Sequence, residues 1–184
     1  MNPYYEALRD RIVMSYNGDL HKPKIVGLTS CHAGAGVSRL ATGLAASLSR
    51  DAERNVLLVG LERNRVAVSA FAKGRPTDGI EPIADDASSD KQLVVQSFTD
   101  LLPKLKISDY DYIIFDLPPL TQTSGSLRLA SQMERAILVV EAEETDKTNA
   151  KRVTNLLKAS QPKLFSVLNK AHSYGPKSLR EIAD

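Results

Sequence analysis

Residues 29–44, TSCHAGAGVSRLATGL, decide how this chain is read. KIVGLTS, residues 24–30, runs into them as a short, largely apolar segment, which predicts a buried strand. SRLATGLAASLSR follows, with Leu40, Leu44 and Leu48 on one stripe and small residues between them. This predicts a helix packed closely on a sheet from Val37 to about Arg50. Between the two lie Gly34, Ala35 and Gly36. A strand, a glycine turn and a helix start can aim successive backbone N–H groups into one concavity, where the helix dipole favours an anion. That is the layout of a phosphate-binding loop.

The side chains of the stretch are less complete than its backbone. Ser38 sits just inside the helix, where a hydroxyl can coordinate Mg²⁺. The next position back, where such loops carry a lysine for the β/γ-phosphates, holds Val37. Valine neither donates a hydrogen bond nor offsets charge, and a hydrogen bond to a charged group is worth about 1.5–3 kcal/mol, so nucleotide affinity should fall one to two orders of magnitude. Phosphoryl transfer should suffer more, because the lysine also stabilises transition-state charge. Arg39 is the nearest replacement, but it leaves the helix about 100° from Ser38. A dinucleotide fingerprint would use Gly34 and Gly36, with Arg39 in the third glycine's place and Glu62 on a ribose; CHA after Ser30 makes the loop long for it. A glycine turn that binds nothing has the same need for φ freedom.

Outward from the loop the pattern alternates. Residues 3–16, with Tyr4, Ala7, Leu8 and Ile12 at helical spacing, predict an amphipathic helix, and NGDLHKP a linker, so that 1–22 form an N-terminal helix and linker. NVLLVGL predicts a second buried strand and completes a βαβ unit. Residues 63–90, with Gly74, Pro76, Gly79, Pro82 and ADDASSD, predict loops and at most short elements. QLVVQSFTDLLPKLKI predicts a helix disturbed at Pro103, YDYIIFD and RAILVVEA two strands, TDKTNAKRVTNLLKAS a helix with Thr145 as N-cap, and KLFSVLN a last strand. The expected fold is α/β: a three-layer sandwich with a mostly parallel central sheet flanked by helices, one domain over 1–184.

Composition narrows the partners. With 184 residues and 42% hydrophobic content the chain suits one core, and Lys+Arg 24 against Asp+Glu 22 is too balanced to imply a polyanion partner by field strength. The single cysteine, Cys31, cannot form an internal disulfide, and MNPYYEALRD lacks a signal peptide's apolar core, which points to a reducing cytoplasm. No apolar run approaches the ~20 residues that span a bilayer. Cys31 and His32 lie in the loop, where a helix N-terminus can lower a thiol's pKa, but they have no Cys/His neighbours for a metal site.

IVGLTSCHAGAGVSRLATGLAASLSR, NVLLVGLERNR, YDYIIFDLPP and FSVLN resemble, in order, the Walker A, Walker A′, Walker B and adenine-side segments of bacterial tyrosine kinases (BY-kinases), over roughly residues 5–170. These P-loop NTPase-like domains act with polysaccharide co-polymerases in capsule and exopolysaccharide export, and their wider relatives include the partition and septum-placement ATPases. The resemblance implies ATP or ADP with Mg²⁺ as cofactors. It implies Gly34, Ala35, Gly36, Val37, Ser38 and Arg39 as the phosphate loop, Asn169 as the adenine reader or else a turn residue, and Ser38 and Asp116 as metal positions. Asp116, the Walker B aspartate, and Glu62 hold the ancestral catalytic places.

The departures from the family pattern are several. Val37 replaces the lysine, and Gly60 and Glu62 stand where the family has an Asp-x-Asp pair. The ring-forming Glu-x-x-Arg-x-x-Arg helix is matched only by Glu6 and Arg9, with Ile12 third. The tyrosine-rich tail is represented by Tyr174 alone. The expectation is a catalytically impaired BY-kinase-like protein, an accessory or regulator in exopolysaccharide or capsule export with nucleotide and Mg²⁺ binding weakened or absent. Its partner would be a membrane-embedded polysaccharide co-polymerase or a related active kinase, with homo-oligomers as a further option, and it would be held at the inner face of the cell membrane. One alternative is an active kinase or ATPase with a surrogate cation from Arg39, Arg63 or a neighbouring subunit. The other is a partition-type protein binding DNA through Lys151, Arg152, Lys158, Lys163 and Lys170, residues that otherwise form a solvated face.

Overall fold

The computed structural model describes residues 3–50, 54–62, 65–77, 91–120, 124–160 and 163–171, with 62, 65, 91–97, 99 and 124 described by backbone alone. Twelve elements are present among them: α1 (Pro3–Ser15), β1 (Lys24–Ser30), α2 (Val37–Leu48), β2 (Val56–Glu62), β3 (Arg65–Ala72), β4 (Arg75–Pro76), α3 (Lys91–Lys106), β5 (Tyr112–Asp116), α4 (Ser124–Ala130), β6 (Arg135–Glu141), α5 (Lys147–Ser160) and β7 (Leu164–Asn169). The seven strands form one sheet in the order β4-β3-β2-β5-β1-β6-β7. β2, β5, β1, β6 and β7 run parallel, and β3 and β4 add an antiparallel edge. The expected mostly parallel sheet between helical layers is the observed one.

The central strands are apolar without alternation because both their faces are covered. In β5, Tyr112 and Ile114 point into the layer with α1 and α2, against Leu8, Ile12, Leu44 and Leu48. Ile113 and Phe115 point the other way, to Phe98 and Leu105 of α3, Leu129 of α4 and Val153 of α5. Phe98 and Phe115 meet edge to face, their centroids 5.2 Å apart.

Three local expectations are corrected. Residues 65–72 are not loop: RVAVSAFA pairs antiparallel with β2 from Val56–Phe71 to Glu62–Arg65, and the two-residue β4 pairs with it in turn, because a strand near the sheet edge needs only one well-covered face. Residues 63–64 and 78–90 of that stretch, including Arg63, lie outside the described residues. On α1 the covered stripe is Tyr5, Leu8 and Ile12, continued by Tyr16 just beyond the helix, whereas Tyr4 and Ala7 face solvent. The Tyr5 ring lies where a Cβ on Gly43 would be, so α1 seats on α2 at a position that must lack a side chain. α5 is capped by Asp146, whose Oδ2 accepts the Asn149 N–H at 3.0 Å, while the Thr145 hydroxyl accepts the Glu141 N–H at 3.0 Å. α3 runs through Pro103 to Lys106, its second half held by buried Leu101, Leu102 and Leu105. The sequence reading had no counterpart for α4, whose seven residues are too few for periodicity to register.

The linker after α1 is pinned by His21. Its Nδ1 is 2.7 Å from Asp19 Oδ1 and its Nε2 3.0 Å from Glu134 Oε1. The hydrogen bond to Asp19, assisted by Glu134 against partial desolvation, raises the His21 pKa above its ordinary value, and His21 in turn lowers that of Asp19. A raised histidine stabilises the fold fully below its unfolded pKa of about 6.5, and that contribution is lost as pH rises through the folded value. Thermal midpoints should therefore fall between pH 6 and pH 8.5 in the wild type and fall less in His21→Gln. Equal slopes in a pH series of melts would show that this cluster contributes nothing.

Candidate functional site

The loop from β1 to α2 folds as the glycines require. Gly34 and Gly36 have φ of +88° and +90°, in the left-handed region that a residue with a Cβ resists. Gly36 is the N-cap of α2 and among the described residues no side chain caps that end, which leaves the first amides of the helix open to a ligand or to water. They open on a cavity of about 550 Å³ lined by the loop from Gly34 to Arg39, by Gly60 and by Asp116 with Pro118 and Pro119. Strand order explains this gathering: β2 and β5 lie to one side of β1, so their C-terminal ends form the wall facing the loop.

Ser38 and Arg39 are exposed at the cavity, and Arg39 lines it despite its turn away from Ser38. Val37 is different. It is 9% exposed and belongs to the apolar cluster with Val26, Leu28, Leu40 and Val139. Asp116 ends β5, half-buried, directly opposite Gly60 of β2 in the parallel register. The carboxylate that would face Asp116 from β2 is therefore missing at that position. Glu62 lies two residues further along, at the end of the strand, and only its backbone is described.

Asn169, at the end of β7, donates from Nδ2 to Ala35 O at 2.8 Å and so binds the back of the loop. It also occupies the place of a Cβ on Gly36. Lys170 follows with a bond from Nζ to Gly34 O at 2.9 Å and another to Glu141 Oε1 at 2.6 Å. Lys170, which the DNA-binding alternative grouped with the cations of α5, is thus engaged with the loop and with Glu141. The sequence reading missed Glu141 and Thr145 as neighbours of the loop; the last residue of an apolar strand and a polar residue beyond it carry no spacing that would have marked them. The Cys31 thiol is 1% exposed, and burial raises its pKa, opposite to the lowering that a helix N-terminus was expected to produce. Among the described residues there is no group of three or more His, Cys, Asp and Glu that could hold a metal ion.

A parallel sheet with a glycine loop leading from a central strand into a helix N-terminus, and an acidic residue on the neighbouring strand's end, defines a P-loop NTPase-like domain. No protein-family profile matches the chain. It is similar to the tyrosine-protein kinase CpsD of Streptococcus pneumoniae serotype 4, 28% identical over 91% of this chain and 83% of that protein. The kinase domain of VpsO shares its fold with a TM-score of 0.68 at 18% identity, over 92% of this chain and 95% of that one. Cobyrinic acid a,c-diamide synthase from Mycobacterium smegmatis, solved with an ATP analogue and magnesium, shares it with a TM-score of 0.60 at 17% identity over 88% and 82%. The chain thus has the fold of P-loop NTPase-like domains and is similar over most of its length to proteins named as tyrosine kinases.

Proposed function

We propose that this chain, taken as a single domain, is a BY-kinase-like protein that keeps the phosphate cradle but is impaired in phosphoryl transfer. It acts as an accessory or regulator in exopolysaccharide or capsule export. The observation that carries this reading is Val37, a core side chain where phosphate chemistry needs an ammonium group. Gly60 opposite Asp116 supports it, because Asp116 without a carboxylate directly across from it gives weaker control of metal and nucleophile than a facing pair. The relatives named as tyrosine kinases support the kinase-like ancestry; the motif resemblance suggests the pathway, with a membrane-embedded co-polymerase or an active kinase as docking partner. Such a partner would hold the chain at the inner face of the membrane; among the described residues no helix is long and apolar enough to cross it.

The residues present fit a nucleotide's phosphates. The left-handed glycines and the uncapped helix start offer donors to an anion, and the cavity has room for a diphosphate. Ser38 and Asp116 would hold Mg²⁺, which when bound would supply charge neutralisation on the phosphate oxygens. The loop amides bind and orient, and Pro118 and Pro119 narrow the wall beyond Asp116.

Calorimetric titration of ATP and ADP, with and without Mg²⁺, tests the reading. The wild type should bind weakly or not measurably, and Val37→Lys, whose stem would stay among apolar neighbours while its ammonium reaches the cavity, should bind about 10- to 100-fold more tightly. Micromolar Mg²⁺-dependent binding by the wild type together with phosphotransfer would overturn impairment. It would favour the second reading, an active kinase or ATPase in which exposed Arg39 at the cavity serves as surrogate cation.

A further inference from the structure

We propose that Lys170 is a positioning residue that supplies from behind the loop part of the positive charge that position 37 lacks. It acts through the Gly34–Ala35 peptide, and the proposal rests on the phosphate-cradle reading above. Two consecutive residues at the end of β7 hold two consecutive carbonyls of the loop, Lys170 at Gly34 O and Asn169 at Ala35 O, at 2.9 and 2.8 Å. In a trans peptide the C=O and the following N–H point in opposite directions. Carbonyls drawn toward β7 therefore turn the Ala35 and Gly36 amides away from β7, toward the side of β1 where β5 and β2 end and the cavity lies. The grip selects the peptide orientation that an anion needs, before any anion arrives.

Lys170 adds charge to that orientation. An ammonium on a carbonyl oxygen polarises the peptide, and a polarised peptide is a stronger donor at its N–H. The Ala35 amide becomes the beneficiary. Opposing this, Glu141 binds the same ammonium through Oε1; its side chain is 10% exposed and that of Lys170 49%, so water screens the pair only in part. Glu141 belongs to a fixed set. Its N–H is taken by the Thr145 hydroxyl oxygen, which lies 3.0 Å from His32 Nε2, and His32 Nδ1 is 2.9 Å from Ala33 O. A carbonyl can only accept, so His32 Nδ1 carries a proton, and Nε2 lies 3.9 Å from Glu141 Oε2 as well as near Thr145. Glu141 thus fixes Lys170 in place and partly cancels its field on the loop. Charge at the loop is set by the balance of these two side chains.

The test uses the full chain with ADP and adenosine as probes in calorimetry, on the wild type, Lys170→Met, Lys170→Arg and Glu141→Gln. Lys170→Met should weaken ADP binding about tenfold and leave adenosine, which has no phosphate, unchanged. Lys170→Arg should restore most of the affinity. Glu141→Gln, which keeps an acceptor for Lys170 and removes the opposing charge, should tighten ADP binding severalfold. A merely structural loss would weaken both ligands and would not be improved by Glu141→Gln. ADP affinities that are equal across the set overturn the proposal. A second readout needs no ligand: the Ala35 amide ¹H–¹⁵N resonance should shift upfield in Lys170→Met relative to the wild type. If the wild type binds no ADP, the retained-cradle reading fails, and Lys170 is judged on that resonance alone, an unmoved Ala35 amide overturning its role.

Discussion

Gly36→Val is expected to weaken ADP binding by about 10- to 100-fold and to destabilise the protein by about 1–3 kcal/mol. Two independent costs converge at this position. The residue has φ +90°, which a β-branched side chain adopts only under strain. A Cβ there would also meet Asn169 Nδ2, the group that holds Ala35 O. Relief by moving Asn169 would release the carbonyl, so strain and loss of the cradle cannot be separated by a side-chain shift. Gly34 offers the comparison: its φ is +88°, but nothing lies within 4 Å of a Cβ built on it. Gly34→Ala should therefore cost less than Gly36→Ala in urea melts and in ADP titration. Equal effects at the two sites would show that the contact with Asn169 carries no weight.

Phe115→Ala is expected to cost about 3–5 kcal/mol of folding stability, enough to threaten a domain of ordinary margin. The ring is fully buried, packs edge to face on Phe98, and fills the space between β5 and helices α3 and α4. Chemical denaturation should register the loss as a lower midpoint with little change in slope. Phe115→Leu, which retains most of the volume, should cost markedly less. The effect should also reach the site, because Asp116 is the next residue and its position follows from the register of β5 against Leu28 and Gly60. A denaturation midpoint for Phe115→Ala within error of the wild type would contradict the packing described here.

Much of the architecture was open to direct reading. KIVGLTS, NVLLVGL, YDYIIFD and RAILVVEA each carry a run too apolar for a solvated strand, KLFSVLN is a partly exposed edge, and all five lie in the sheet as parallel strands. The stripe Leu40, Leu44, Leu48 belongs to α2 and is buried as its period requires. The glycine loop between them was legible because only a few residue patterns permit left-handed backbone before a helix. Where the signal was weak, the reading failed for identifiable reasons. RVAVSAFA has small residues on one face and sits among turn formers, so its strand character comes from pairing with β2. Thr145 and Asp146 are both acceptable N-caps, and the choice fell to Asp146 because the Thr145 hydroxyl is engaged with Glu141 and His32. Tyr4 and Tyr5 are indistinguishable by composition; the absence of a Cβ at Gly43 put Tyr5 inside.

The sequence by itself determined the layered sheet, the glycine loop, and the replacements at Val37 and Gly60, because hydrophobic period, φ requirement and residue identity are local properties. Tertiary structure decided the rest. It put Val37 into the core cluster, set Gly60 opposite Asp116, and brought Asn169, Lys170 and Glu141 to the back of a loop more than a hundred residues away in sequence. Those contacts follow from strand order, with β7 beside β6 and β6 beside β1, and no local pattern encodes the order in which parallel strands are laid down.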